Sequence, residues 1–209
     1  QGIGQHQQCQ YYGSSEKPPR DAGDEGNHNG SNGAYDRHRI RSQANGYQRF
    51  GKRFYELPIT PEKIAMAAIE DPSELVFEIG PGIGALTQFL CQRADRVIAL
   101  EIDARLPEIL KKEIDGNLEI ILQDVLSIDI DELIASKRKD HQKVVFASNL
   151  PYYITTPILF KLFEAKEPIE RITVMMQKEV GARFLATNCE SEYNALSVIT
   201  QYRCDVKKI

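Results

Sequence analysis

Asn149-Leu150-Pro151-Tyr152 sets an amide oxygen, a backbone carbonyl ahead of a proline, and an aromatic ring on four consecutive positions. The exocyclic amine of adenine is a poor nucleophile because its lone pair is delocalised into the ring. Two acceptors placed on its N–H groups favour a geometry in which that lone pair faces a methyl donor. The Asn149 side-chain oxygen and the Leu150 carbonyl oxygen can be those acceptors. Pro151 fixes its own φ and biases Leu150 toward an extended backbone. Tyr152 offers a face on which an extruded base can stack. Where the methyl arrives already activated, the protein supplies position and electrostatics, and neither a strong base nor a metal is needed. Each residue alone would fit a polar strand end and a proline turn; the specificity lies in the four in order.

A second constellation is Glu78-x-Gly80-x-Gly82-x-Gly84, between an apolar run and a helical one. Glycines there let the backbone turn tightly and approach a ligand closely. An ordinary βα turn would look similar, and so would a dinucleotide turn of the G-x-G-x-x-G type. Here the third glycine comes one position early, and the pattern resembles an S-adenosylmethionine turn more than a pyrophosphate-binding one. Glu101, at the end of the next apolar run, is placed to accept from ribose hydroxyls, which nicotinamide and S-adenosyl cofactors share. Asp124 and Val125 follow the third run. The carboxylate can accept from an adenine amine and a backbone N–H can donate to a ring nitrogen, although an isolated Asp124 would read as a surface acid.

These residues need a frame to hold them, and the pattern supplies one. Thr60-Pro61-Glu62 is an N-cap, a first-turn proline and an early acid, so a helix starts there. Apolar runs at 75–79, 97–100, 118–122, 143–148 and 172–176 read as strands. Helical patterns separate them near 86–90, 106–113 and 131–136, then from Thr156-Pro157, and again at 179–185 and 193–202. Strands alternating with helices predict an α/β fold: a Rossmann-like, mostly parallel sheet covered on both faces. Ligands in such sheets bind beyond the carboxyl ends of the strands, where every residue above falls.

Residues 1–46 differ from the rest. They hold eight of the fourteen glycines and six glutamines, but only Ile3 and Ile40 among large aliphatic residues. Such a stretch buries too little apolar area to offset its chain entropy and is expected to be a disordered leader. Arg37, Arg39, Arg41 and Arg49 leave open an RNA-tracking arm. Residues 47–209 are expected to form the catalytic domain. The net charge of −4 is mildly unfavourable for a nucleic-acid partner, although a local basic rim can coexist with an acidic total. The four scattered cysteines form no C-x-x-C pair, and no apolar run is long enough for a bilayer, which together point to a cytoplasmic protein without a metal.

The chain resembles the KsgA-type ribosomal RNA adenine dimethyltransferases. The resemblance is carried by Glu78 to Gly84, Asn149 to Pro157, Gln177-Lys178-Glu179-Val180 and Tyr193 to Val198, and extends from about Gly51 to Ile209. It implies a class I methyltransferase fold and successive methylation of two neighbouring adenines near the 3′ end of small-subunit rRNA. It implies S-adenosylmethionine held at Gly51, Phe54, Glu78, Gly80, Gly82, Gly84, Glu101, Asp124, Val125 and Asn149, with Asn149 to Tyr152 on the target base. The implied partner is small-subunit rRNA in a 30S-type pre-ribosomal particle, met by a monomer. The erythromycin-resistance methylases of large-subunit rRNA share fold and chemistry, but usually carry isoleucine at the position of Leu150 and lack the proline at Pro157. A non-catalytic assembly factor on the same fold is another alternative. A nicotinamide oxidoreductase would leave Asn149 to Tyr152 unexplained. The chain departs from the family pattern at Lys52 and Arg53, which stand where the opening motif carries two amides. The family also continues into a Phe-x-Pro-x-Pro segment, a last strand and a small helical domain, so an open sheet edge is expected.

Overall fold

Short runs rich in Val, Ile and Leu form the strands, and the helices between them carry them back to the same end of the sheet. A computed structural model of the chain describes residues 7–14, 60–114 and 116–209, with the backbone alone for 7–14 and Tyr152. In chain order the elements are β1 (Gln7–Ser14), α1 (Pro61–Ala68), β2 (Leu75–Ile79), α2 (Thr87–Arg93), β3 (Arg96–Glu101), α3 (Pro107–Glu113) and β4 (Leu118–Leu122). There follow α4 (Ile130–Lys137), β5 (Val144–Asn149), α5 (Tyr152–Phe163), β6 (Arg171–Gln177), α6 (Lys178–Leu185), α7 (Ala195–Arg203) and β7 (Cys204–Lys208). The strands make one seven-stranded sheet in the order β4-β3-β2-β5-β6-β1-β7, and each neighbouring pair is parallel.

The order reverses between β2 and β5. From β2 the chain winds outward through β3 to β4; from β5 it winds the other way to β6. A crevice opens at such a switch point, because the connections leaving the two central strands diverge to opposite faces. The central pair is held tightly. Phe77 and Phe146 stand opposite one another in the register and stack with centroids 5.0 Å apart and 15° between planes. Both are fully buried. Leu75, Phe77 and Ile79 join an apolar cluster with Leu133 and Ile134 of α4 and Ile158, Leu159 and Leu162 of α5. With a side-chain period of two, Val76 and Glu78 face the opposite layer.

Two local expectations are corrected. The helix after β5 was expected to begin at Thr156-Pro157; it begins at Tyr152, and Pro157 lies inside it. Pro151, at φ −60° and ψ 142°, ends the extended segment and is the residue before the first helical turn. Pro157 then costs one helical hydrogen bond, to the Tyr153 carbonyl, near an end where few such bonds have formed. The Thr155 hydroxyl donates back to the Pro151 carbonyl at 2.9 Å and ties that first turn together.

The second correction concerns the amino-terminal segment. Gln7–Ser14, expected to belong to a disordered leader, is a strand between β6 and β7. Its register runs from Gln8↔Arg171 to Ser14↔Gln177 on one side and from Gln7↔Cys204 to Tyr11↔Lys208 on the other. A strand laddered on both sides satisfies its backbone donors and acceptors whatever its side chains, which an argument from apolar composition does not register. The rest of the expected leader, residues 15–46, lies outside the described residues. Among the described residues β4 and β7 are the edge strands, and on β7 exposed Asp205, Lys207 and Lys208 oppose edge-to-edge pairing.

Away from the crevice, β6 is anchored to the end of α1 and the segment that follows it by a buried ion pair. Arg171 is 1% exposed; its Nη1 donates to the Ala68 carbonyl at 2.9 Å and lies 3.5 Å from the Glu74 carboxylate, and its Nη2 lies 2.6 Å from Glu70. Glu74 also accepts from the Glu70 N–H, at 3.0 Å. Removing one partner of such a pair leaves the other charge uncompensated in the interior. Glu74→Ala is therefore expected to lower unfolding free energy by about 3–5 kcal/mol in urea denaturation.

Candidate active site

The crevice is built from the carboxyl ends of β2, β3, β4 and β5. Gly80, immediately after β2, has φ +68°, and an added Cβ would meet nothing within 4 Å, so the turn faces open space. Gly82 is also left-handed, at φ +58°. Gly84 serves another purpose. At φ +91° it would place a Cβ 2.8 Å from Ile114 Cδ1 and 3.0 Å from Leu110 Cδ2, so its missing side chain lets α3 pack against the turn. Gly80 and Gly82 thus meet the turn's need for positive φ, while Gly84 is also required by the packing of Leu110 and Ile114.

Glu101 joins this turn to the next strand end. Its Oε1 accepts from the Ile102 and Asp103 N–H groups, each at 2.8 Å, and its Oε2 accepts from the Gly82 N–H at 3.3 Å. The carboxylate is 5% exposed and keeps acceptor capacity beyond these three bonds, since a carboxylate offers about four lone-pair sites. Beside it, the Arg105 guanidinium holds Asp103 down to about 2. Asp124 is half-buried at the exit of β4, and its Oδ1 accepts from the Leu126 N–H at 2.9 Å. Val125 has its side chain in the apolar core, so its contribution to the crevice is limited to its main chain.

Glu78 and Glu101 lie on the same sheet face, since Glu78 pairs with Ala99, two residues before Glu101. Glu78 is 1% exposed, and its Oε2 is buried without a hydrogen-bond partner among the described residues. Burial pushes its carboxyl up to about 8; the nearby Thr87 hydroxyl pulls it down, and the Glu101 charge raises it further. Cys91, on α2, is pushed up to about 12 by burial and by the Glu78 charge.

Asn149 closes β5 opposite Met175 of β6 and is exposed. No described residue hydrogen-bonds its side-chain amide. Leu150 is buried, anchoring the turn, and Pro151 is exposed. The Tyr152 side chain, Gly51 and Phe54 lie outside the described residues. The structure brings together the exits of β2 and β5 through Ser148, which sequence reasoning missed. Its buried hydroxyl accepts from the Ile79 N–H at 3.1 Å and donates to the Ala147 carbonyl at 2.7 Å. A single small hydroxyl ending the apolar run Val144 to Ala147 was the available signal. Also missed were Thr87 and the exposed apolar side chains Ile83, Ile102, Leu122 and Leu126 along the strand exits. Ile102, 70% exposed beside Glu101, is the most prominent.

A separate 590 Å³ cavity opens at the amino ends of the strands, among Ser73, Asp95, Arg96, Asn117, Glu119 and His141. Its Arg96 and Glu119 are paired at 2.7 Å, and it shares no residue with the crevice. No group of three or more His, Cys, Asp or Glu residues suited to a metal ion occurs among the described residues.

The profile of the ribosomal RNA adenine dimethylase family matches residues 43–209. The chain belongs to that family. It is 42% identical over 162 residues to the ribosomal RNA small subunit methyltransferase A of Mesoplasma florum, covering 77% of this chain and 61% of that protein. It is 49% identical over 134 residues to the protein of the same name from Bacillus thuringiensis, covering 63% and 46%. This member of the adenine dimethylase family thus spans roughly half the length of the curated relatives it matches. Among solved structures it is similar to a dimethyladenosine transferase from Plasmodium falciparum, at 32% identity and a TM-score of 0.56, covering 68% of this chain and 49% of the other. The doubly wound sheet is therefore the Rossmann-like methyltransferase fold.

The buried Glu78 gives this family member a measurable pH signature. Its pKa is raised from an ordinary 4.5 to about 8, so between these values the unfolded chain has lost a proton that the folded chain keeps. Stability contributed at this position is therefore lost as pH rises from about 4.5 to about 8, and is flat above that. Glu78→Gln should remove this slope. Denaturation at pH 5 and pH 8 is expected to show the variant gaining on the wild type by on the order of 3 kcal/mol across the interval.

Proposed function

We propose that this chain transfers methyl groups from S-adenosylmethionine to the N6 amines of two adjacent adenines in small-subunit ribosomal RNA. The observation that carries the reading is the juxtaposition at the β2/β5 switch point. A glycine turn pinned by Glu101 lies at one strand exit, and the side-chain amide of Asn149, with no partner among the described residues, lies at the next. Family membership supports the same chemistry. S-adenosylmethionine, when bound, supplies a methyl group already activated on a sulfonium.

The residues present fit that cofactor. The open face of Gly80 leaves room for it, and Glu101 has lone pairs left for ribose hydroxyls. Asp124 and the Val125 main chain are placed to read an adenine edge, and Ile102 gives that ring an apolar surface. At the target side, Asn149 Oδ1 and the Leu150 carbonyl accept from the two amine hydrogens and orient the lone pair. Pro151 fixes the turn that presents them, and Tyr152 stacks on the base. Each methylation releases the N6 proton from a cationic, far more acidic amine, so these residues have only to position it.

We further propose a monomer acting in the cytoplasm on a 30S-type pre-ribosomal particle. No helix among the described residues is long and apolar enough to cross a membrane. The first test is transfer of radiolabelled methyl from S-adenosylmethionine to unmethylated small-subunit particles, read as dimethyladenosine after digestion. Incorporation into large-subunit RNA instead, or none with donor binding intact, would refute the reading. Asn149→Ala is expected to leave donor affinity within about threefold and to lower the transfer rate by about 10²–10³-fold, as removal of a transition-state hydrogen bond does. Glu101→Ala should weaken donor binding by roughly 1.5–3 kcal/mol in calorimetric titration, the worth of hydrogen bonds to a charged acceptor. Unchanged affinity would take Glu101 out of the site.

A further inference from the structure

Glu78, one of the residues that the family resemblance places at the cofactor, is a buried acid. It stands two residues before Gly80, on the sheet face it shares with Glu101. Its Oε2 is buried without a hydrogen-bond partner among the described residues. The groups around it are few. From α2 come Thr87 and Cys91, and from β3 comes Glu101, whose carboxylate holds the glycine turn. From β5 come Ala147 and Ser148, the latter engaged with the Ile79 N–H. Helix α1 buries only Ile64, Ala65 and Ala68. The charge acting on Glu78 among the described residues is therefore that of Glu101, and it is of the same sign.

Two carboxyl groups on one sheet face at this turn, with no cation between them among the described residues, make a site that is short of positive charge. S-adenosylmethionine brings a sulfonium and an ammonium against one carboxylate, a net positive charge. We propose that donor binding is coupled to ionisation of Glu78: the empty crevice holds it as a neutral acid, and a cation seated at the turn expels its proton. The O–H bond of the carboxyl breaks, its electron pair stays on oxygen as the carboxylate, and the proton passes to solvent buffer. The inference rests on the cofactor reading above. Glu78 thereby favours the positively charged donor over a neutral product, because the product, having lost the sulfonium, no longer compensates a second carboxylate.

The magnitudes are adequate. The carboxyl sits at about 8 without a ligand, and an opposite charge within about 4–6 Å lowers an acid by about 1–3. The group thus crosses neutrality on binding. At pH 7 roughly 0.4–0.9 proton should leave per donor bound, and affinity should rise roughly 5- to 50-fold from pH 6 to pH 8.

Isothermal titration of the full chain with S-adenosylmethionine, in buffers of different ionisation heat, counts those protons directly. Glu78→Gln keeps the shape and loses the proton. Its affinity is expected to trail the wild type by about 1- to 11-fold at pH 6 and by roughly 5- to 500-fold at pH 8, so that the gap widens about 5- to 50-fold across the interval. The donor's own amine titrates near 8, but it does so for both proteins and cancels in the comparison. Release below about 0.1 proton by the wild type at pH 7 would overturn the proposal without the variant, and so would parallel pH profiles for the two proteins. No binding by the wild type at any pH would instead overturn the cofactor reading beneath it.

Discussion

The pairing of β2 with β5 is the constraint on which the rest depends. These two strands come from different halves of the winding, and nothing local in the chain brings them together. The face-to-face stack of Phe77 on Phe146 does so within the core. Where the ladder ends, the Ser148 hydroxyl takes the next backbone donor, that of Ile79. Because one strand exits into the glycine turn and the other into Asn149-Leu150-Pro151, a shift of this pair by one residue would displace the proposed donor and target positions relative to one another by about 3.3 Å. It would also turn every side chain of one strand to the wrong face. The distance between the two strand exits is therefore set by a buried aromatic contact several residues from either.

Around that pair the crevice is organised by backbone more than by side chains. Glu101 spends three hydrogen bonds on N–H groups of two different turns, so one carboxylate sets the relative position of two loops. This explains how a residue can be both structural and available to a ligand. The same economy appears at Leu150, whose side chain is anchored in the core while its carbonyl carries the proposed chemistry.

Much of this frame was legible in the sequence. The runs at 75–79 and 118–122 became β2 and β4 residue for residue, because a continuous apolar run bounded by polar or glycine positions has few other uses. The strand-exit positions of Glu78 to Gly84, Glu101, Asp124 and Asn149 followed from the same pattern. What was missed has physical reasons. Pro157 was read as a helix start because proline is favoured there, yet Pro151 already ended the strand and made Tyr152 the earlier start. The role of Gly84 depends on Leu110 and Ile114, far along the chain, which no local pattern reveals. Ser148 and Thr87 act through single hydroxyls whose partners are set by tertiary pairing. Strand β1 escaped notice because its ladders use the main chain, on which composition is silent.

That strand has a consequence for the order in which the molecule assembles. Among the described residues β7 pairs only with β1, and β6 and β7 do not touch as neighbours in the sheet. Strand β1 is thus a keystone that joins β7 to the rest of the sheet. It can take its place only once β6 and β7, both far along the sequence from it, exist to flank it. Contacts between such distant segments raise the contact order and slow folding, because the intervening chain must be closed before any of them forms. The β4-β3-β2-β5-β6 portion, wound from successive strands and helices, can form first. Closure by β1 is the late step that contact order predicts.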